Sequence, residues 1–336
     1  MTRTDVLFSL ASKAPRRIIL SRFFLNWVLV LPLFIQFSFM SHASEITGLS
    51  SSVTAVAFSP DGKTLAAADG SFDLTLWEVA TGKLRSKLTG LATGTERVCW
   101  SPDGKTVYGT TGNDWIAWDA VTGKEKQKIK GEMSGTSPNR IALAPDGKSL
   151  AAAGRGKVKF WETASGKVTG EYEAHPNYAI NSLAFSPDGK SVATTSNDKT
   201  AQTTRLSDGA GMTFTCPSRV IAAEFSPDKK SLFVVDEQPA LHCFDLKTGE
   251  DTPAAPMPRA PKQMAVSPDG KLVACIGSVL RLWSVGDKCW YETKIVTSGA
   301  DATSVAFSRD GKYVACGDYE KIQIFPTKEL LTSKSP

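Results

Sequence analysis

The sequence predicts an all-β fold: a seven-bladed β-propeller of four-stranded antiparallel blades. The motif Ser-Pro-Asp-Gly-Lys, or a close variant, recurs seven times at intervals of 40 to 43 residues. Each copy also contains short apolar runs separated by Gly, Pro and Asp clusters, which are strand signals. A period of this length is typical of one supersecondary unit that is copied and stacked. Four strands per unit are typical of a propeller blade.

The first repeat shows how one blade is encoded. Its four candidate strands are residues 53–58, 65–68, 74–77 and 84–89. In the turn between the first two, Pro60 fixes φ and Gly62 can take the left-handed conformation that a tight hairpin needs. Lys229 replaces this glycine in the fifth repeat. A non-glycine residue there costs on the order of 1 kcal/mol, so the fifth turn is predicted to be strained.

The first strands of the first, fourth and seventh repeats are largely apolar on both faces, as in the run Ala55-Val56-Ala57-Phe58. This pattern is expected of a sheet that is packed on both sides. Ala, Val, Phe and Ser dominate these strands, which predicts a small-residue lining at the propeller axis. The seventh repeat has only three clear strands. We therefore expect residues 44–47 to supply its missing outer strand and to cover an exposed sheet edge.

The third strand of several repeats ends in an aromatic residue followed by an acid. The pairs are Trp77-Glu78, Trp118-Asp119, Trp161-Glu162 and Phe244-Asp245. Together with the turns, they resemble the WD-repeat family of the G-protein β-subunit type, from about residue 45 to residue 327. The resemblance implies a propeller that serves as a protein-interaction module or scaffold.

The chain departs from the polar tetrad that the family often carries. The fourth repeat offers the His, Ser and Asp of that set as His175, Ser196 and Asp198, but Thr204 stands at the Trp position. No repeat has all four residues. The departure predicts blades that are held together by apolar packing and backbone hydrogen bonds, without the tetrad.

The first 43 residues read as a targeting segment. A basic lead precedes an apolar stretch, and Ser41-His42-Ala43 has the small residues that a signal peptidase reads. Cleavage after Ala43 would leave a propeller at 44–327 and a tail at 328–336 that is predicted to be disordered. The alternative is an uncleaved membrane anchor at residues 23–40, whose length is near the lower limit for a spanning helix. The protein is thus expected to be exported, either periplasmic or secreted, or else membrane-anchored.

The net charge depends on the targeting segment. Residues 1–43 hold five of the 39 Lys and Arg residues and one of the 34 Asp and Glu residues. The remainder therefore has 34 basic and 33 acidic residues. A nucleic-acid-binding domain usually carries a basic stripe, so this balance argues against a nucleic-acid partner.

Several catalytic and cofactor chemistries lack a sequence signal. Gly-Lys-Ser/Thr occurs in four turns, but the glycine that a phosphate-binding loop needs five residues earlier is missing. Two histidines, His175 and His242, follow residue 43, which is few for a catalytic zinc site. No cofactor and no metal are therefore predicted. No two of the six cysteines occupy facing positions on neighbouring strands of one blade, which predicts free thiols.

The variable loops indicate where a partner would bind. In a four-stranded blade the two motif turns share one face, and the variable connections lie on the opposite face. Aromatic and Arg residues are enriched at interface hot spots. The candidate partner-binding residues are Trp115, Arg155, Lys157, Tyr178, Arg219, Arg259 and Tyr319, with Phe72 in the same set of loops.

The predicted function is a non-catalytic protein-interaction or scaffold module, which is expected to be a monomeric domain with unknown protein partners. The alternative is a propeller hydrolase or lactonase with its site at the central axis. That reading needs acidic or metal-ligating side chains on several inner strands, where the sequence has mainly small and apolar residues. A quinone-cofactor propeller is a third reading, but the aromatic residues fit blade packing without it.

Overall fold

The computed structural model describes residues 44–91, 95, 97–111, 114–130, 140–254, 256–293, 301–319 and 321–332. Within these residues the strands form seven antiparallel sheets, which confirms the predicted seven-bladed propeller. The signal peptide or anchor predicted at residues 1–43 lies outside the described part and stays a prediction. None of the helical structure in the described residues is long and apolar enough to cross a bilayer.

The chain enters the fold with β1 (Ser44–Thr47), which belongs to the last blade. Blade 1 consists of β2 (Val53–Phe58), β3 (Thr64–Asp69), β4 (Leu74–Glu78) and β5 (Leu84–Leu88). Blade 2 consists of β6 (Val98–Trp100), β7 (Thr106–Thr111), β8 (Asp114–Asp119) and β9 (Glu125–Lys130). Blade 3 consists of β10 (Arg140–Leu143), β11 (Ser149–Ala153), β12 (Lys157–Glu162) and β13 (Val168–Glu173).

The remaining blades follow in the same order along the chain. Blade 4 consists of β14 (Ile180–Phe185), β15 (Ser191–Ser196), β16 (Thr200–Arg205) and β17 (Gly211–Thr215). Blade 5 consists of β18 (Val220–Phe225), β19 (Ser231–Asp236) and β20 (Leu241–Asp245). Blade 6 consists of β21 (Gln263–Val266), β22 (Leu272–Ile276), β23 (Leu280–Ser284) and β24 (Cys289–Thr293). Blade 7 consists of β25 (Ser304–Phe307), β26 (Tyr313–Gly317), β27 (Lys321–Pro326) and β1.

Blade 5 differs from the prediction, because its described sheet has three strands. The segment after β20 still bonds to it: the Thr252 and Ala254 amides donate to the Cys243 and Leu241 carbonyls at 2.9 and 2.8 Å. Pro253, Pro256 and Pro258 interrupt this segment. Proline has no amide hydrogen to donate, so a regular fourth ladder cannot form here.

The N-terminal strand closes the ring, as predicted. β1 pairs antiparallel with β27, with Ile46 opposite Ile322. The Ile46 side chain is 1% exposed, and it packs in a cluster shared by blades 7 and 1. Glu45 adds a charged contact at the edge, since the Lys321 Nζ donates to it at 3.0 Å. Both ends of the propeller therefore lie in one sheet, and the edge of β27 is covered.

The motif turns pack in series around the ring. A Cβ built on Gly147 would lie 2.7 Å from the Pro102 Cδ of the preceding turn, at a φ of 73°. Glycine is therefore needed for space as well as for conformation. Lys229 takes the same left-handed conformation, with φ at 59°, as predicted for a residue at this glycine position. Its Nζ lies 2.9 Å from Asp188 Oδ2 in the preceding turn, a contact that a glycine could not make.

The chain beyond residue 326 corrects a prediction. Residues 328–336 were expected to be disordered, but Thr327–Leu330 forms α1, a single helical turn. Leu330 is 4% exposed and packs against the core of blades 6 and 7. Burial of this leucine against apolar side chains orders the segment. Residues 333–336 lie outside the described part of the chain.

All six cysteines are free thiols in the fold, and three of them, Cys216, Cys275 and Cys316, are buried. Burial raises the pKa of Cys275 to about 12, so this thiol stays protonated at neutral pH. Cys275 and Cys316 lie in the second strands of neighbouring blades, as the repeat register predicts.

Candidate functional site: the mouth face and the axial channel

The propeller has two unlike faces. One face carries the turns between the first and second strands and between the third and fourth strands of each blade; we call it the turn face. The opposite face carries the second-to-third connections and the connections between blades. The central channel opens there, so we call it the mouth face.

The polar groups of the turn face bond mainly to one another. In the first turn the Ser59 hydroxyl donates to Asp61 Oδ1 at 2.6 Å, and the Lys63 amide donates to the same oxygen at 3.0 Å. The Thr64 amide donates to Ser59 Oγ at 2.9 Å. The serine hydroxyl bond, followed by the amide bond, lowers the pKa of Asp61. These carboxylates stay ionised as structural parts of the turns.

The mouth face displays most of the predicted partner-binding residues. Six of the seven are exposed in or beside its loops: Arg155, Lys157, Tyr178, Arg219, Arg259 and Tyr319. Tyr178 and Tyr319 are 50% and 47% exposed, which is unusual for large aromatic side chains. Phe72 is also exposed, at a φ of 67°. Among the described residues, this face therefore combines exposed rings with exposed cations.

Trp115 was wrongly assigned to this surface. It is 1% exposed and packs between blades 2 and 3, with its ring centroid 5.9 Å from that of Tyr108. The sequence placed it in a loop, but β8 already begins at Asp114. A shift of one or two residues in a strand boundary moves a side chain from the surface into the core.

A buried histidine holds the loops of the mouth face at blades 3 and 4. His175 is completely buried, with Nδ1 2.8 Å from Asp198 Oδ2 and Nε2 2.9 Å from Thr194 Oγ1. The Thr200 hydroxyl donates to Asp198 Oδ1 at 2.7 Å. Blade 4 thus forms a polar network without the tryptophan, and with Thr194 in the place expected for Ser196. The full tetrad is missing from this blade, as the sequence predicts, but its histidine and aspartate still form a network that adds to the apolar packing.

The same histidine segment fixes the neighbouring basic loop. The Gly156 carbonyl accepts the Ala174 and His175 amides at 2.7 and 3.0 Å. A Cβ on Gly156 would lie 2.6 Å from the His175 carbonyl oxygen, so only glycine fits this approach. Arg155 and Ala179 also form a β-bridge. The backbone that carries Arg155 and Tyr178 is therefore held in place before any partner arrives.

His242 occupies a different environment in blade 5. Its Nδ1 lies 2.7 Å from Asp251 Oδ2, and its Nε2 lies 3.7 Å from Asp236 Oδ2. The sequence suggested a packing or edge role, and the ring does stack on Phe244 at 5.6 Å. Among the described residues, no group of three or more His, Cys, Asp or Glu side chains is arranged to hold a metal ion.

The first strands of the seven blades surround the axial channel, each in contact with the next. The position two residues before each motif turn is half-buried in every one of them. Its occupants are Ala57, Cys99, Ala142, Ala184, Glu224, Ala265 and Ala306. The expected small-residue lining is therefore interrupted by one carboxylate, Glu224.

Two arginines line the same cavity as this carboxylate. A cavity of about 260 Å³ is lined by Arg97, Arg140 and Glu224, together with mostly apolar residues. Burial raises the pKa of Glu224 to about 7, and the positive charge of Arg97 opposes that rise. The lining therefore contains charged side chains as well as the small and apolar residues that the sequence predicts for the inner strands.

The sequence distinguishes these three charged residues from their equivalents in the other repeats. Arg97 and Arg140 both stand four residues before the first turn residue of their repeats, and Glu224 stands two residues before its own. Aligned repeats have small or uncharged residues at both positions. A charge that breaks such an alignment marks a position with a role beyond blade packing.

Side-chain hydrogen bonds connect the inner strands of neighbouring blades along the channel. The Thr54 hydroxyl donates to the Thr95 carbonyl, and the Thr303 hydroxyl donates to the Val53 carbonyl. Asn181 Nδ2 donates to the Val220 carbonyl at 2.8 Å. These bonds satisfy backbone acceptors at the channel wall and keep neighbouring inner strands in register.

These features define a seven-bladed β-propeller with one loop-bearing face around an axial channel. The WD domain, G-beta repeat family matches residues 37–78 and 166–202. These two stretches and the seven blades in the same register make the chain similar to WD-repeat β-propellers. The first match ends at Trp77-Glu78, and the second contains the His175–Asp198 pair. Among curated proteins the chain finds no match.

Proposed function

We propose that this protein is a non-catalytic protein-interaction module that binds its partner through the mouth face. The WD-repeat propeller is consistent with an interaction scaffold. The observation that carries the proposal is the combination of the exposed Tyr178 and Tyr319 rings with exposed cations on the mouth face. Specific recognition requires a distinctive arrangement of groups, and the mouth face offers one.

The exposed residues of blades 3 to 6 form the centre of the proposed surface. Arg155 lies on one loop and Lys157 at the start of the strand that follows it, Tyr178 lies on the next loop, and Arg259 lies farther around the ring. An exposed tyrosine supplies a rigid, amphipathic ring, and arginine supplies a planar donor; both are enriched at interface hot spots. The prediction that named these residues stays a prediction until binding is measured.

Partner capture tests the proposal. The full-length chain serves as bait in an extract of the native cell envelope. A variant with Arg155, Lys157, Tyr178 and Arg259 changed to Ala is expected to lose capture while its thermal unfolding stays unchanged. The matched control changes Lys63, Lys105, Lys148 and Lys190 of the turn face to Ser and is expected to retain capture. If the lysine set is the damaging one, the working face is the turn face.

We also propose that the propeller is exported after cleavage behind Ala43. The position of β1 supports this, since the described closing strand, Ser44–Thr47, lies wholly after the cleavage point. Cleavage there would leave the ring closure intact. The measurement is the mass of the protein recovered outside the cytoplasm, which is expected to correspond to a chain that begins at Ser44. A mass that includes residues 23–40 would support the anchor instead.

A further inference from the structure

Blade 4 differs from the other blades at one position of its third strand. In every blade this position pairs with the second residue of the second strand, so the register identifies it. The other six blades place an aromatic ring there: Trp77, Trp118, Trp161, Phe244, Trp283 and Phe325. In blade 4 the position belongs to Thr204, opposite Val192. This blade therefore lacks the ring that its neighbours share.

Each of these rings packs against the blade that precedes its own. Trp118 shares a cluster with Leu76 of blade 1, and Trp161 shares one with Ala117 of blade 2. The covered side chain is the one just before the ring position of the preceding blade. In four blades it is buried: Leu76 0%, Ala117 4%, Leu282 1% and Ile324 2% exposed. In blade 5, whose outer segment is irregular, the equivalent Cys243 is half-buried.

The missing ring leaves a groove between blades 3 and 4, which we call the rim groove. Phe160 and Tyr172 of blade 3 line it, together with Thr204 and Leu206 of blade 4, and its volume is about 320 Å³. Phe160 has the position that Leu76 has in blade 1, but Thr204 is too short to cover it, and Phe160 is only half-buried. The groove lies on the outer rim, near the turn face, because Thr204 is close to the end of β16.

The apolar walls of the rim groove are partly open to solvent. The Phe160 and Tyr172 rings are stacked, with their centroids 6.1 Å apart and their planes 18° apart. Leu206 is 41% exposed, whereas Ala120 and Thr327 at the equivalent position of blades 2 and 7 are 4% and 6% exposed. The rim groove therefore presents flat apolar surfaces that the other blades cover with their own ring.

The polar groups of the rim groove favour a neutral ligand. Arg205 lines the groove, but its Nη1 lies 2.8 Å from Asp208 Oδ2, so its charge is already offset. Glu171 also lines the groove and is exposed, so water and salt screen its attraction for a cation. The Tyr172 and Thr204 hydroxyls are in the lining and can accept a hydrogen bond from a ring N–H.

We propose that the rim groove binds a small neutral aromatic molecule, whose planar ring of indole size lies where the tryptophan of other blades lies. Pockets for small molecules are mostly apolar clefts of about 300–1,000 Å³, and the rim groove falls at the lower end of this range. Apolar cavities that are left by a missing side chain can bind an aromatic molecule in its place. The inference goes beyond the proposed function, since it adds a second site away from the mouth face.

Isothermal titration of the full-length protein with indole tests the proposal. The wild type is expected to bind indole with a Kd of about 0.1–1 mM, a range that is open to so small a ligand. Benzamide is expected to bind about three- to tenfold more tightly than cyclohexanecarboxamide, because a flat ring can stack on Phe160. Failure of indole to bind, or equal binding of the two amides, would overturn the proposal.

Two blocking variants locate the site. Thr204→Trp puts the ring of the other blades into the groove; it is expected to raise Tm and to weaken indole binding at least about tenfold. Gly170→Leu blocks the groove from blade 3 and is expected to weaken binding by a similar factor. Gly170 pairs with Phe160, so its side chain would point to the same side of the sheet, and a Cβ there has no neighbour within 4 Å.

Thr252→Trp is the matched control, since it adds the same side chain at an exposed position of blade 5. It is expected to bind indole like the wild type. Wild-type affinity in Gly170→Leu and Thr204→Trp would mean that indole binds elsewhere. A raised Tm in Thr204→Trp without indole binding by the wild type would reduce the groove to a packing gap. Either result would overturn the proposal.

A last comparison separates a free aromatic molecule from a tryptophan side chain of a protein partner. The probes are N-acetyltryptophanamide and a glycine hexapeptide with one central tryptophan. If the peptide gains less than about tenfold in affinity over the amide, the ring alone is the ligand, as proposed. A larger gain would replace the small molecule with a segment of a partner protein and overturn the proposal.

Discussion

The turn face and the mouth face of this propeller are built from the same seven repeats, but they use their polar groups differently. On the turn face, each serine and aspartate bonds within its own turn, as Ser59, Asp61 and Lys63 do. On the mouth face, polar groups such as Thr54 and Asn181 bond across to the next blade, and exposed cations surround the channel. The comparison teaches that the turn motif is used for folding, which leaves the mouth face to vary.

The largest expected effect comes from deletion of the strand that closes the ring. Removal of residues 44–48 exposes the edge of β27 and removes the buried Ile46 side chain. Loss of a buried isoleucine and four pairing residues is expected to lower Tm by about 5–10 °C, as measured by circular dichroism. Both faces should unfold together, because the closure connects whole blades.

Glu45→Gln is the control for this deletion, since it removes only the exposed charge pair with Lys321 and is expected to shift Tm by about 1 °C or less. A deletion protein with an unchanged melting curve would contradict the role of β1 in closure.

The next largest effect on stability comes from a comparison of two variants in blade 4, one on each face. His175→Ala removes the bonds to Asp198 and Thr194 and leaves buried polar groups without partners, at a cost of about 2–3 kcal/mol in the free energy of unfolding. Ser186→Ala on the turn face of the same blade is expected to cost about 1 kcal/mol. Urea unfolding measures both values.

Partner capture provides a second comparison of these two variants. His175→Ala is also expected to weaken partner capture, because His175 holds the segment that carries Tyr178, whereas Ser186→Ala is expected to leave capture unchanged. The contrast between the faces would be wrong if Ser186→Ala were the variant that weakened capture.

The smallest expected effect is a gain in stability from a substitution on the turn face. Ala144 replaces the turn serine in the third repeat, so the Ser149 amide lacks the Oγ acceptor that Thr64 has in the first repeat. Ala144 is as buried as Ser59, at 5% against 4% exposed. Ala144→Ser is expected to stabilise the protein by about 0.5–1 kcal/mol in urea unfolding. A loss of stability would mean that this turn does not share the geometry of the others.

Much of the fold could be predicted because the repeat carries its own local physics. Pro60, Asp61 and Gly62 each fit one position of a hairpin turn, and the same signal recurs at each blade. The closing strand was also predictable, since the last repeat had three strands and Ile46 continued the register. Blade 5 lacks a regular fourth strand because of its prolines. The prediction from the repeat period alone did not take these prolines into account.

The candidate site was only partly predictable. The loop positions of Tyr178 and Arg259 could be predicted from the topology, and both side chains are exposed in the structure. Trp115 was misplaced, because a strand boundary that is shifted by one or two residues changes which way a side chain points. The sequence also left open whether His175 and Asp198 meet, as they are 23 residues apart and come together only when two loops fold against each other.

The sequence by itself determined the seven-fold repeat, the turn chemistry and the ring closure, since these depend on neighbouring residues and on a fixed period. Tertiary structure alone decided the character of the channel. Arg97, Arg140 and Glu224 lie on three different blades, separated by 43 and 84 residues along the chain. Only closure of the ring places them around one cavity. The local sequence fixes each strand, but the electrostatic environment at the axis is a property of all seven blades together.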